Sequence, residues 1–330
     1  MRVAILGAGA IGGALAAILT RGGHEVEVTA RGANLDKIRA DGIRLVGTWG
    51  DYVARVSAID RLTVHPELAI VATKAADAPA AIAANEQYLR GIPLVVVQNG
   101  LEGIRAAADA APQADIVGGL AIFAASYLHP GEVRITTGGP LFLGTGDENH
   151  DEPARFAAGV LGPVLETIVV ADFTGAQWTK LVVNQLNAIP AITGLSAQEV
   201  IADRRLRRVL TASIRENVRV GRARDIHFAS ISSLDNTLLR TIGAGPLWLG
   251  QVIPLAMRRR MGATPNPGST QQSIRRGQPT EIDYLNGAVV AAAVGTSVAT
   301  PVNAALVAMV HEVERSGAFL PVAEVVARAR

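Results

Sequence analysis

The sequence predicts an α/β fold in two parts, a mostly parallel sheet domain followed by an all-helical C-terminal domain. Three observations carry this. Short β-rich apolar runs alternate with Ala-rich helical stretches over the first half, which calls for right-handed crossovers and parallel strands. After about residue 172 the β-branched runs give way to long Ala/Val/Leu/Arg helical stretches. At 330 residues, 49% apolar and 18% charged, the chain is long and apolar enough for two cores.

In order along the chain, Arg2–Leu6 (RVAIL) reads as a strand ending in glycine, residues 11–21 as a helix, and Glu25–Thr29 as a second strand. Later strands are expected at 68–73 (LAIVAT), 93–99 (PLVVVQN) and 115–123 (DIVGGLAIF). Residues 132–137 and 140–146, separated by Gly138 and Gly139, read as a hairpin near the end of this domain. The expected division is 1–172 for the sheet domain and 173–330 for the helical one. Its clearest interruptions are Gly243–Pro246 and Thr264–Ser269.

Composition excludes several functions. A net charge of +2 is too small for nucleic-acid binding, and the clusters Arg204, Arg205, Arg207, Arg208 and Arg258–Arg260 read as solvated helix faces. With no cysteine there is neither disulfide nor thiolate metal site, and the six histidines include no i, i+4 pair, so no metal is expected. The opening MRVAILGAGAIGGALAAILT has the look of a secretion signal, but its glycines sit at the spacing of a nucleotide turn. The apolar run 288–299 is too short to span a bilayer. The expectation is a soluble, cytoplasmic protein with no membrane partner.

Gly7-Ala8-Gly9-Ala10-Ile11-Gly12 fits G-x-G-x-x-G, directly after a strand and opening a helix that leads to a second strand. This context makes the first domain a Rossmann-type dinucleotide-binding unit. Gly7 permits the tight turn, Gly9 lets backbone approach a pyrophosphate, and Gly12 allows close helix–strand packing. The helix N-terminus supplies N–H groups and partial positive charge. At the end of the second strand stands Thr29-Ala30-Arg31 in place of the acid that would bind ribose hydroxyls. Arg31 there suits a 2′-phosphate, so the expected cofactor is NADP(H).

Of 31 basic residues only Lys37, Lys74 and Lys180 are lysine. Where arginine serves for charge, a lysine is a candidate for proton chemistry, because an ammonium can release a proton and guanidinium does not. Lys37 reads as an ordinary surface residue. Lys74 and Asn99-Gly100 end two strands at the carboxyl edge, where open α/β sheets bind ligands. Lys180, Asn184 and Asn187 are i, i+4 and i+7, a polar stripe on an otherwise apolar helix that Pro190 kinks or ends. Either this is a polar packing seam, or Lys180 is a proton donor with amides orienting a polar substrate.

These residues, with TK at 73–74, QNG at 98–100, WTKLVVN at 178–184 and NPGSTQQSIRRGQPTEIDYLNG at 266–287, resemble the ketopantoate reductase (2-dehydropantoate 2-reductase) family over nearly the whole chain. The resemblance implies NADPH-dependent reduction of the C2 ketone of ketopantoate to pantoate, toward pantothenate and coenzyme A. It implies Lys180 as proton donor, with Glu281 tuning it and contacting cofactor or substrate. Asn99, Asn184, Asn187, Asn266 and Ser269 would hold the substrate. Lys74, Asn99 and Ala124 would join the glycine turn around the cofactor. Departures fall on substrate positions. Ala188 stands where the family often has asparagine, with Asn187 one place early, and Thr193–Ser196 replaces a further asparagine. Leu234 to Met261 looks extended, with an apolar stretch at 245–257. The rival readings are a paralogue reducing another 2-oxo acid and a non-catalytic NADP-binding module. Apolar helices near 288–310 suit a homodimer or a buried core alike.

Overall fold

Where the chain reverses its direction of travel across a sheet, neighbouring strand ends diverge and leave a crevice. The larger sheet of this protein has one such point. The computed structural model describes residues 1–147, 150–261 and 265–329, which fall into two units, Met1–Phe173 and Thr174–Arg330.

In the first unit the strands are β1 (Arg2–Leu6), β2 (Glu25–Thr29), β3 (Ile43–Gly47), β4 (Tyr52–Ala54), β5 (Ser57–Ile59), β6 (Leu68–Val71), β7 (Pro93–Val97), β8 (Asp115–Ala121), β9 (Ala124–His129), β10 (Glu132–Thr137), β11 (Leu141–Gly144) and β12 (Thr167–Val169). The helices are α1 (Ala10–Arg21), α2 (Gly32–Asp41), α3 (Ala78–Ala83), α4 (Gly103–Ala110) and α5 (Glu152–Leu161). Eight strands form the main sheet in the order β12-β11-β8-β7-β6-β1-β2-β5. Pairing is parallel except where β11 meets β8. The chain winds outward from β1 through β2 to β5, then returns to β6 on the other flank of β1. The reversal between β1 and β6 is a topological switch point, the place where doubly wound sheets bind ligands.

A second sheet, β4-β3-β10-β9, was not foreseen from the sequence. It overturns the predicted hairpin of 132–137 with 140–146. β10 lies in the small sheet between β3 and β9, and β11 lies in the large sheet beside β8. Burial explains the split. β11 is buried at every position, whereas β10, covered by α1, exposes Arg134, Thr136 and Thr137, as a strand covered on one face does. The true hairpin is β9–β10, turning at Pro130-Gly131 with Gly131 at φ +76°. The predicted strand 115–123 accordingly stops at Ala121.

α1 lies between the two sheets and packs on strands of both. It is therefore apolar all round, with Gly12 through Leu19 buried. Burial between two sheets accounts for the apolar character of the opening run.

The second unit is helical: α6 (Phe173–Asn184, its first residue in the first unit), α7 (Ala188–Thr193), α8 (Ala197–Ala202), α9 (Arg204–Ala223), α10 (Asn236–Ala244), α11 (Leu247–Gly250), α12 (Val252–Arg260), α13 (Gly268–Arg275), α14 (Asn286–Ala293), α15 (Pro301–Ser316) and α16 (Val322–Arg328). The segment 234–261 supplies α10 to α12. Of the predicted interruption at 264–269, Thr264 lies outside the described residues. α9 is the hub, and Asp203 caps its first turn by accepting from the Arg205 and Leu206 N–H groups. Arg204, Arg205, Arg208 and Arg258–Arg260 are exposed.

A polar network is buried within this helical unit. Asn286 Nδ2 donates to Gln185 Oε1 at 2.7 Å and Asn303 Oδ1 at 2.9 Å, and Ser213 Oγ, with one proton to give, lies 2.7 and 2.9 Å from the same two acceptors. Glu216 of α9 accepts from the Val302 and Asn303 N–H groups at 2.9 Å, capping α15 from a different helix. Burial pushes its carboxyl above the usual range, against the pull of those bonds. Among the described residues, no helix is long and apolar enough to cross a membrane.

Candidate active site

β1 runs into Gly7, whose φ of +101° only glycine adopts easily, and whose missing Cβ would lie 2.7 Å from Thr73 Cγ2. The Gly7 N–H donates to Thr29 Oγ1 at 3.0 Å, so the side chain ending β2 locks the turn after β1. Gly12 fits under the turn because a Cβ there would stand 1.9 Å from the Gly7 carbonyl oxygen. Gly9, at the N-cap of α1, faces open space: a Cβ would meet nothing within 4 Å. Ala10 and Ile11 form the first turn of α1 with their N–H groups at its positive end. Glycine at 13 was not singled out from sequence, yet its Cβ would approach Val133 Cγ1 of β10 to 3.0 Å.

The same carboxyl edge gathers the other predicted residues of this unit. Lys74 follows β6 and its carbonyl accepts from the Asp77 and Ala78 N–H groups, starting α3. Asn99 and Gly100 follow β7, with Gly100 at φ +91°. Gln98 Nε2 donates to the Thr73 carbonyl at 3.2 Å and ties the two loops together. Arg31 is exposed at the N-cap of α2, just past β2. Ala124, three residues past the end of β8, is the first residue of β9 and pairs with Thr137 in the small sheet.

Two residues that sequence reasoning missed belong here. Asn34 Nδ2 donates to the Ala8 carbonyl at 3.0 Å while its Oδ1 accepts from the Gly131 N–H at 2.9 Å, fastening the glycine turn to the β9–β10 turn. Thr73 Oγ1 is buried without a partner among the described residues, against Gly7. An open cradle at Gly9, a helix N-terminus, an orphan hydroxyl and an arginine at the end of β2 fit a dinucleotide phosphate group.

In the helical unit Lys180 lies one turn before the end of α6, half-buried, and Asn184 closes that helix, buried. Burial drives the Lys180 ammonium down from its ordinary 10.5 to about 8, and the nearby Glu281 carboxylate opposes the fall. Glu281 sits at the N-cap of a short 3₁₀ turn, Ile282–Tyr284.

α6 does not continue to Pro190. It breaks into a 3₁₀ turn at Gln185–Asn187, and Pro190 falls inside α7. Proline lacks an N–H and crowds the carbonyl four residues back, at Leu186, which locates the break. Asn187 is therefore turned out of the helical stripe. Its Oδ1 lies 2.8 Å from where a Cβ on Gly268 would be, at the start of α13. Ala188 is fully buried. So Asn187 meets the 266–269 segment at Gly268. Within that segment Asn266 Oδ1 accepts from the Gly268 N–H at 2.9 Å, and Ser269 is exposed in the first turn of α13.

The structure thus brings together the glycine turn with Thr73 and Gln98, Lys180 with Glu281, and Asn187 with Asn266–Ser269. The model of the ketopantoate reductase PanE/ApbA family matches residues 3–148, and that of its C-terminal domain matches residues 172–314. A 2-dehydropantoate 2-reductase of Halobacterium salinarum is 28% identical over 96% of this chain and all of its own. One from Pyrococcus abyssi is 24% identical over 92% of this chain and 94% of its own. Among solved structures, a PanE/ApbA family ketopantoate reductase from Ralstonia eutropha JMP134 superposes with a TM-score of 0.81 at 26% identity, over 96% of this chain and 99% of its own. A D-mandelate dehydrogenase solved with NADH and anilino(oxo)acetate shares the fold, at a TM-score of 0.82 and 20% identity over 96% and 99% of the two chains. Both family models fall in order along one chain, one on the sheet unit and one on the helical unit, and together they cover most of it: the protein belongs to the ketopantoate reductase PanE/ApbA family of oxidoreductases.

Proposed function

We propose that the protein reduces 2-dehydropantoate to pantoate with NADPH, with the first unit holding the cofactor and the second supplying the proton. The observation that carries this is Lys180, a half-buried lysine brought to about 8 beside Glu281. A general acid works best with a pKa near the operating pH, and an unperturbed lysine is too weak an acid for that role.

The bound cofactor supplies a hydride to the carbonyl carbon. Lys180 Nζ donates a proton to the carbonyl oxygen, and before transfer its charge stabilises the negative charge developing there. Glu281 keeps the ammonium from losing its proton too early. Asn184, Asn187, Asn266 and Ser269 offer amides and a hydroxyl for the substrate's carboxylate and hydroxyl. Gly9 and the first turn of α1 receive the pyrophosphate, Lys74 and Asn99 position cofactor and substrate, and Arg31 receives the 2′-phosphate.

Arg31→Ala should weaken NADPH about tenfold to a hundredfold, the value of a lost charge-assisted bond, and leave NADH unchanged. Fluorescence titration with both cofactors checks this, and equal losses for the two would remove the 2′-phosphate contact.

A second reading is favoured by the fully buried Ala188 and by the likeness to D-mandelate dehydrogenase: the same chemistry on a different 2-oxo acid. Steady-state kinetics with 2-dehydropantoate and a panel of 2-oxo acids separates the two. A kcat/KM for 2-dehydropantoate no better than for simpler acids decides for the second.

A further inference from the structure

Glu281 is carried by a short turn with little regular structure of its own. Two residues of α15, one helical turn apart, hold that turn. His311 Nδ1 lies 2.7 Å from Glu314 Oε2, and its Nε2 lies 3.0 Å from Asp283 Oδ1. The other oxygen of Glu314 accepts the Thr280 main-chain N–H at 2.7 Å. Thr280 Oγ1 in turn accepts the Ile282 N–H at 3.3 Å. Glu281 is bracketed by held residues at 280, 282 and 283.

Two carboxylates on two ring nitrogens require both nitrogens to carry protons. Burial is the largest single influence on His311 and pulls its pKa down. The bonds and charges of Glu314 and Asp283 outweigh it and carry the pKa above the ordinary 6.5. α14 and α7, which pack on α15, carry no ionisable side chain. On α9, which also packs there, Glu216 is engaged at the N-terminus of α15, while Arg207, Arg215 and Arg219 bond Gln251 and the Gly245 and Gly243 carbonyls. The 3₁₀ turn itself brings Asp283 and Tyr284. On α15 itself Glu312 is paired with Arg328 of α16 and has Arg315 nearby. Neutral histidine has one N–H and could serve one carboxylate only, leaving a lone pair facing the other.

We propose that His311 is a positioning residue for the reduction: gripping Asp283 directly and Thr280 through Glu314, it holds the turn that keeps Glu281 beside Lys180. The proposal rests on Lys180 being the proton donor. Its consequence is that the turn is held below the raised pKa of His311 and released as pH rises through it.

The chain's three lysines make a direct test practical, since protein labelled with 13Cε-lysine gives only three side-chain signals to follow against pH. In His311→Leu the Lys180 signal should titrate lower than in the wild type by about half a unit. Removing a cation alone would raise it, so a fall reports Glu281 moving away. In the same variant kcat for 2-dehydropantoate should fall about tenfold, as expected for a misplaced catalytic group, with NADPH affinity unchanged. His311→Arg, charged at every accessible pH and able to reach both carboxylates, should restore kcat and remove the His311 limb of the pH profile. If His311→Leu does not fold, His311→Gln is read the same way, because it also removes the cation. A Lys180 titration that is unmoved or raised overturns the proposal, whatever kcat does. A wild-type protein that reduced no 2-oxo acid would sink the reading of the reaction, while the lysine titration would still decide the role of His311.

Discussion

Lys180→Ala is expected to lower kcat at pH 7 by about 10³-fold or more while leaving NADPH affinity within about a factor of two. Proton donation by a placed side chain contributes on the order of 10² to 10⁴. Electrostatic stabilisation of a developing oxyanion contributes on the order of 10² to 10³. One ammonium supplies both here, so the losses overlap and do not multiply. The glycine turn and Arg31 belong to the other unit, which is why cofactor affinity should hold. With a pKa of about 8, Lys180 is protonated in about nine-tenths of molecules at pH 7. Activity should fall as pH rises through about 8. Lys180→Arg should keep part of the charge effect and lose that limb, because guanidinium does not release its proton there. Rate measurements across pH 6 to 10 on the three proteins check this; a Lys180→Ala enzyme within tenfold of wild type would remove the proton donor.

The same residue should cost the fold stability. Its folded pKa lies below its unfolded value of 10.5, so the unfolded chain binds the proton more tightly. The cost is fully present below about pH 8, shrinks between pH 8 and 10.5, and is gone above that range. Lys180→Met should therefore raise the unfolding free energy of the cofactor-free protein at pH 7 by roughly 2 kcal/mol, after discounting for the side chain's partial exposure. A more stable and inactive variant is what a strained functional group predicts. Thermal melts at pH 7 and pH 10 show it directly, since the gain should shrink at the higher pH.

What the sequence made legible was whatever depends on residues near each other along the chain. The glycine turn, the strands beside it and the Lys180 stripe have fixed spacings, and periodicity exposes them. Arg31 was readable because its place is counted from the end of β2. Pairings across long separations were not. Nothing in 132–146 says that β10 and β11 join different sheets, because choosing a partner strand is a tertiary decision. Asn34, which joins turns 26 and 97 residues from it, looks like any loop asparagine. His311 is 28 residues from Asp283, and a lone histidine on a helix gives no local sign of its partners. Asn187 shows a different limit. Helical spacing placed it on the Lys180 stripe, but the 3₁₀ turn ahead of Pro190 rotated it toward Gly268.

Gly12→Ala should be the most damaging single methyl group in the first unit, lowering stability by about 3 kcal/mol and NADPH affinity by more than about a hundredfold. The added carbon would lie 1.9 Å from the Gly7 carbonyl oxygen and 3.1 Å from Ala72 Cβ, so something must move. Gly7 cannot. Thr73 stands 2.7 Å from its own Cβ position on one side, and its N–H is bonded to Thr29 on the other. α1 would have to withdraw, yet it is packed between two sheets with eight successive residues buried. Any withdrawal carries the helix N-terminus away from the place where the phosphates bind. Gly9→Ala is the control that separates folding from binding. Its methyl group meets no protein atom within 4 Å, so the melting temperature should stay within about a degree of wild type. It does enter the open cradle, so NADPH affinity should still fall at least about tenfold. Paired melts and cofactor titrations on the two variants read both effects, and a Gly9→Ala protein that binds NADPH as wild type does would mean the phosphates lie elsewhere.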